Sequence, residues 1–440
     1  MLGRFVFVIA AAASRELKHR SGRAVHKQHT ATPPRSDAPV PAPGECGPMP
    51  SNATSRTLAE LLERYADVQA EQRAKPKVSG KSITVIATRH GLGNRINNVV
   101  GGFALALATN RALVVHWPRT DCRRKREDCD PTSIDDLFDP PPGVSWGRIK
   151  NWPKATATMC SHGPFVISNN RFSDVEAVLD MNLSEERFNG PDKPKNWCAI
   201  SDRSWAHAVS CNPLLRCAAP TPWFFYGLLQ RWLLRPKRAV LERVKHTLGR
   251  GKTCAVGVHL RKADLSSTKW ATEELLAEAY ATALERRGRA RGDPTFGVYI
   301  ASDGESRKTR LRLEQIARDV DAPLLARAVT TRPTRGSIRG NQDALAENYV
   351  LASCDEILPR GSGASTFHDL AVARAAFDRG WNQSRVDAFT YHPDKSDHSL
   401  VPARCPKRKG AELSCPCATG ATSWRDLDAP WPGPAVVSYS

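Results

Sequence analysis

The sequence predicts an α/β fold: two facing domains with parallel sheets, preceded by a flexible stem. Three observations predict it. Short apolar, β-branched runs alternate with longer segments of helical periodicity, the pattern of βαβ units in a parallel sheet. The runs fall into two groups, one opening near Ser82 and one near Thr253, and 440 residues are enough for a domain on each. Ahead of both, residues 19 to about 55 carry Pro33, Pro34, Pro39, Pro41 and Pro43 among polar residues, a composition that extends rather than packs.

Taken in order, the chain opens with Arg4 followed by an apolar run from Phe5 to Ala13. That run is shorter than the roughly 17–25 residues of a spanning helix and fits the about 7–15 of a secretory h-region. Residues 1–18 therefore read as a signal peptide, with a short membrane anchor as the alternative. Residues 19–79 read as the Pro-rich stem plus one short amphipathic helix, in which Leu58, Leu61, Leu62, Tyr65 and Val68 recur at helical spacing.

Residues 80–249 form the first predicted domain. A strand over 83–88 leads through Arg89-His90-Gly91-Leu92-Gly93-Asn94-Arg95 into a helix over 96–110 and a strand over 112–117. This is a βαβ unit with a Gly-bearing turn, and it meets neither the Walker A pattern nor the dinucleotide fingerprint. The region from about 120 to 215 is rich in Cys, Trp, Pro and Asn, with a short strand over 164–168, and reads as the acceptor side. Residues 222–249 read as one long helical segment. Residues 250–402 form the second domain, with strands over 254–260, 296–302 and 356–358. Helices are expected over 273–286, 307–320, 342–352 and 369–377. Residues 403–440 are an irregular Cys/Pro-rich tail.

The formal net charge is +19 and the pI about 9.6. Such a balance attracts polyanions, anionic membranes or nucleotide diphosphates; with no nucleic-acid-binding signature in the chain, the partner expected is a small anion and not a nucleic acid. Twelve cysteines point to an oxidising compartment. Cys122 and Cys129 flank a short charged loop and make a local disulfide candidate. Cys405, Cys415 and Cys417 lack the spacing of a zinc site, so disulfides are expected and no metal. Sequons at Asn52, Asn182 and Asn382 agree with lumenal exposure.

The chemistry is expected at the strand ends of the second domain. Cys254-Ala255-Val256-Gly257-Val258-His259-Leu260 is an apolar strand that runs into Arg261, Lys262 and Asp264. The strand over 296–302 ends at Asp303. After the third strand comes Arg360-Gly361-Ser362-Gly363-Ala364-Ser365-Thr366-Phe367, then a helix. All three lie at strand C-termini, the crevice side of an open sheet, and a Gly/Ser loop at a helix start favours a phosphate.

These residues resemble the fucosyltransferase superfamily that includes the α1,2-, α1,6- and protein O-fucosyltransferases. Arg89 to Trp117 is similar to the GLGNR-type first βαβ unit. His259 to Asp264 resembles the H-x-R-R-x-D motif, Tyr299 to Asp303 the second motif, and Ser362 to Phe367 the third. Ser133 to Phe138 resembles a segment that follows the first. The resemblance covers about 80 to 380. It implies two facing Rossmann-like domains, the GT-B arrangement, with GDP-fucose held mainly by the second. It implies an inverting transfer to a glycan or protein hydroxyl, with no cofactor and no bound metal, in the lumen of the Golgi or endoplasmic reticulum.

Carried over, Arg261 would bind the diphosphate and offset the charge that develops on GDP as it leaves, with Asp264 orienting that arginine or its loop. His259 and Lys262 belong to the same motif and are assigned to the donor. Asp303 would hold guanine or ribose, with Asp343 as a further guanine candidate. Ser365, Thr366 and Phe367 would cradle phosphate, and Asn94 and Arg95 would reach the donor from the first domain. Lys262 replaces the motif's second Arg and loses its bidentate fork. Lys269 stands where the α1,6 branch carries a Glu, and Glu273 and Glu274 fall at a helix start, so no general base is assigned. A non-catalytic carbohydrate- or nucleotide-binding protein of the same fold is the alternative. A sulfotransferase-like enzyme fits less well, because the turn over 89–95 has no Ser or Thr.

Overall fold

Ser82–Ile86 (β1) is buried along its length: strands pair with it on both edges, and Ile83 and Val85 lie in the apolar core. The computed structural model describes residues 58–76, 79–87, 91–117, 131–147, 166–168, 196–200, 222–249, 251–260, 273–302, 307–325, 337–358 and 366–380. β1 pairs in parallel with Ala112–His116 (β2) and with Asn196–Ile200 (β5), and β5 pairs in parallel with Val166–Ser168 (β4). The strand order is β2-β1-β5-β4. β5 went unread from the sequence, since its Asn-Trp-Cys-Ala-Ile shows no clear alternation and sits in a Cys- and Pro-rich stretch. Leu92–Ala108 (α2) crosses β1 closely: a Cβ on Gly102 would fall 1.9 Å from Val85 Cγ2.

Leu58–Ala74 (α1) is part of the folded body, where the sequence placed it in the stem. Leu62 and Tyr65 are core residues. The helix is held because β2 stands at the edge of the described sheet, so backbone groups on its outer side need partners other than a strand. Gln69 acts as a substitute strand residue: its Oε1 accepts from Leu113 N–H at 2.8 Å and its Nε2 donates to the Leu113 carbonyl at 3.1 Å. The Tyr65 hydroxyl accepts from Leu113 N–H at 2.9 Å and donates to the Arg111 carbonyl at 3.0 Å. Burial pushes the Tyr65 phenol well above its ordinary value.

The long helix read over 222–249 is two helices, Pro222–Leu233 (α3) and Arg238–Leu248 (α4), split by the short strand Arg235–Pro236 (β6). Pro236 is the cause: it has no N–H to continue the ladder and restricts the residue before it. β6 pairs antiparallel with Phe138–Asp139 (β3), which follows a 3-10 turn over Ile134–Asp136 capped by Ser133 and Asp136.

The second sheet is parallel, in the order β8-β7-β9: Phe296–Ser302, Thr253–Leu260 and Glu356–Ile357. Its helices are Glu273–Arg287 (α5), Arg307–Asp319 (α6), Ile338–Ser353 (α7) and Thr366–Asp378 (α8). Val256, Val258 and Leu260 share one buried cluster with Leu276 and Tyr280 of α5 and Leu313 and Ile316 of α6. Tyr299, Ala301 and Ile357 belong to the other cluster, with α7 and α8. Covering both faces explains the nearly continuous apolar strands. The second cluster also takes in α2, α3 and α4, so the apolar interior is continuous across the boundary expected at 249/250. One close helix contact within it is at Gly227, where a Cβ would fall 2.0 Å from the Ala373 carbonyl.

The fold is therefore α/β with parallel sheets, as the alternation predicted. α7 and α8 begin earlier than read. Ser337 caps α7 by accepting from Gly340 N–H, and Thr366 and Phe367 fall in the first turn of α8 and not in a loop. No helix among the described residues is long and apolar enough to cross a membrane. Residues 1–57, the pair Cys122 and Cys129, the three sequons and the 403–440 tail lie outside the described residues.

Candidate functional site

The site is built where the C-terminal end of β7 meets the first turns of α2 and α8. Along β7 the side chains alternate. Leu260 and Val258 enter the α5–α6 core, while Gly257 and His259 face α7 and α8. His259 thereby reaches Phe367, with ring centroids 5.0 Å apart and planes tilted by 33°. Both rings are only partly buried.

α2 arrives from the first sheet. It starts at Gly91 with no side-chain cap, and the Asn94 N–H reaches back to the Gly91 carbonyl at 3.0 Å. Its second residue, Gly93, lies against the start of α8: a Cβ there would fall 2.6 Å from Thr366 Oγ1 and 3.0 Å from Phe367 N. Only a residue without a side chain permits this approach. Two helix N-termini are thus brought together beside a strand end. Each carries partial positive charge and backbone N–H groups directed outward, so their junction favours an anion.

The expected residues divide in three. Asn94, His259, Thr366 and Phe367 come together, and all four are partly exposed. Arg95 and Asp343 are placed elsewhere. Arg95 turns into the interior, 2% exposed, with its guanidinium 5.4 Å from the centre of the Trp117 ring. The helix explains it: once 92–95 are helical, Asn94 and Arg95 point about 100° apart and cannot both face a donor. Asp343 accepts from Arg243 Nε of α4 in a largely buried ion pair, so its carboxylate braces α7 on α4. Arg261, Lys262, Asp264, Asp303 and Ser365 lie outside the described residues.

Sequence reasoning missed the support behind the site. Asn97 Oδ1 accepts from the Tyr226 hydroxyl at 2.6 Å, fixing the first turns of α2 on α3. Asn341 Nδ2 donates to Thr132 Oγ1 at 2.7 Å and Gln342 Nε2 to the Asp136 carbonyl at 3.0 Å, tying α7 to the turn after the first βαβ unit. Asn348, 1% exposed, donates from Nδ2 to the Phe367 carbonyl at 2.5 Å. Its Oδ1 accepts from Arg374, whose guanidinium lies 4.1 Å from the Tyr349 ring centre. The only available signal was compositional: polar residues at buried positions of an otherwise apolar helix face.

Among the described residues, no group of three or more His, Cys, Asp or Glu is placed to hold a metal ion. A disulfide, Cys254–Cys354, joins the start of β7 to the end of α7.

The chain matches no family model and no curated protein. It is similar to solved structures. One is a mutant of Arabidopsis thaliana FUT1 in complex with GDP: 16% identity, 72% of this chain and 77% of that one covered, TM-score 0.47. Another is fucosyltransferase NodZ from Bradyrhizobium, at 17% identity, 66% and 92% covered, TM-score 0.37. A third is POFUT1 in complex with GDP-fucose, at 12% identity, 69% and 95% covered, TM-score 0.39.

Proposed function

We propose that the protein is a glycosyltransferase that moves fucose from GDP-fucose to a glycan or protein hydroxyl, with inversion and without a bound metal. The observation that carries the reading is the meeting of the α2 and α8 starts at the His259 end of β7. It supplies an anion site at the strand ends of a parallel sheet, where such folds hold nucleotides. Asn94, His259, Thr366 and Phe367, which belong to the motifs that resemble the fucosyltransferases, meet there.

On this reading the N–H groups of the α8 first turn and the Thr366 hydroxyl hold the diphosphate, with Asn94 closing from α2. Arg261 stands two positions beyond His259, the spacing that returns a side chain to the same face of an extended chain. Its guanidinium offsets the charge that grows on the β-phosphate. The bond from the anomeric carbon to the phosphate oxygen breaks, and its electron pair leaves with GDP. The acceptor oxygen bonds to the opposite face of the oxocarbenium-like sugar, and its proton passes to a base that no residue here is assigned. Lys262 adds charge, Asp264 orients Arg261, and Asp303 and Ser365 complete the donor contacts. The twelve cysteines and the Cys254–Cys354 disulfide support a place in the lumen of the Golgi or endoplasmic reticulum.

The test is GDP release from GDP-fucose across an acceptor array, with GDP-mannose as control. Arg261→Ala should lower turnover by about 10²–10³-fold or more with the melting temperature unchanged, and EDTA should leave turnover intact. Activity retained in Arg261→Ala, or a strict metal requirement, contradicts the mechanism. GDP binding without GDP release for any acceptor favours the non-catalytic alternative.

A further inference from the structure

Three contacts close a ring around the site. β7 is tied at its start to the end of α7 by the Cys254–Cys354 disulfide. α7 is tied in its middle to the first turn of α8 by the Asn348 hydrogen bond to the Phe367 carbonyl. The first turn of α8 returns to the end of β7 through the Phe367 and His259 rings. Asn348 is the one polar link in the ring, and it acts on the residue that forms the ring contact at the site. Its other atom is committed to Arg374, buried at 3% exposure, so the amide is held in one orientation and cannot turn its acceptor toward the carbonyl without losing that partner.

We infer that Asn348 is a positioning residue for the nucleotide: through the Phe367 carbonyl it fixes the first turn of α8 against His259 and Gly93, and with it the anion-binding N–H groups. The role rests on the proposed function, since it concerns the same site. A residue that only stabilised the packing would shift the melting temperature and leave nucleotide affinity alone. A positioning residue shifts affinity out of proportion to stability, and does so through Phe367.

The discriminating change is Asn348→Asp. It keeps the acceptor for Arg374, now as an ion pair, but sets a carboxylate oxygen that cannot donate against the Phe367 carbonyl and adds a buried negative charge. Phe367→Leu and the double variant separate lost positioning, which does not add, from charge repulsion of the nucleotide, which does. The full-length protein, Asn348→Asp, Phe367→Leu and the double variant are compared by calorimetry with GDP, by steady-state GDP release from GDP-fucose, and by thermal melting. Asn348→Asp should raise the GDP Kd and the GDP-fucose KM about tenfold, with kcat within about threefold of the parent. Phe367→Leu should reproduce that split, and the double variant should be no worse than the worse single one, the non-additivity of two residues acting as a unit. If the unaltered protein does not bind GDP, the proposed function fails and the role with it. If it binds GDP and Asn348→Asp binds equally well, or if the two changes add, the positioning role fails and the proposed function stands.

Discussion

The two ends of the central strand β7 are built on opposite principles. At its start, covalent and ionic links accumulate. Cys254 is bonded to Cys354. Arg287 of α5 grips Asp355 with two hydrogen bonds of 2.7 and 2.6 Å, and Arg379, just after α8, donates to the Cys354 carbonyl and pairs with Asp355. Arg286 pairs with the largely buried Glu356. The Asp355 carboxylate in turn holds the Arg287 guanidinium above its ordinary pKa. At the far end of β7 the described links include a ring contact, a close approach at a glycine and a buried amide. The fixed end holds the sheet in register. At the other end Asn94, His259, Thr366 and Phe367 stay partly exposed, as a site needs. Changes at the fixed end should therefore move stability alone, and changes at the other end should move nucleotide affinity.

The largest effect should come from the disulfide. It closes a separation of 100 residues, for which chain-entropy reasoning gives about 4–5 kcal/mol. The paired change Cys254→Ala with Cys354→Ala should lower stability by about that amount in denaturant titration, while the GDP Kd stays within about twofold. A large loss of affinity in the still-folded variant would break the division between the two ends.

Much of the fold was legible in the sequence, for physical reasons, whereas the Cys254–Cys354 pairing and the ion pairs of the fixed end were not. The strands of the second sheet are buried on both faces, so their apolar runs stand out against the flanking charges. The helix starts were harder. Thr366 and Phe367 look like the tail of a Gly/Ser loop, because the loop chemistry of Ser362 to Ser365 continues into the first turn with no break in composition. Leu92 to Arg95 looked like a turn because Gly93 is a poor helix residue; it is there for contact with α8, which depends on a chain segment more than 270 positions away. Arg95 reads as the cation of the Gly-bearing turn and the GLGNR-type motif, but once that stretch is helical its side chain diverges from Asn94 and turns inward. Pro236 did mark the break in the helix over 222–249, and the apolar periodicity on either side hid it. Asn348 carried no motif at all: its role comes from a pairing that only the packed helices reveal.

A smaller effect tests the open end from its other side. Gly93→Val puts a branched side chain where Thr366 Oγ1 and Phe367 N already stand at 2.6 and 3.0 Å from the would-be Cβ. The hydroxyl can rotate away, but the backbone nitrogen belongs to the helix start and cannot move alone. The two first turns should separate, weakening GDP binding about tenfold or more while the melting temperature falls by no more than a few degrees. A GDP Kd within twofold of the parent would show that the α2–α8 junction is structural and that the anion is held elsewhere.

The smallest effect sharpens the distinction on the first sheet, where the β2 edge is closed by side chains with no part in the site. Tyr65→Phe removes the hydroxyl that bridges Arg111 and Leu113, but Gln69 still accepts from Leu113 N–H. The loss at neutral pH should therefore be modest, about 1 kcal/mol, with GDP affinity unchanged. Alkaline pH gives a second reading. Burial raises the Tyr65 phenol above its ordinary value of 10.0, so above about pH 10 the folded chain keeps a proton that the unfolded chain releases. The folded state then binds more protons, and stability falls as pH rises, by up to about 1.4 kcal/mol per pH unit from this one group. Phenylalanine has no proton to lose, so the variant should lose stability less steeply between pH 10 and 11 than the parent, as measured by urea unfolding at each pH. Equal slopes would mean that the Tyr65 hydroxyl reaches solvent in the folded protein, and that α1 does not close the β2 edge.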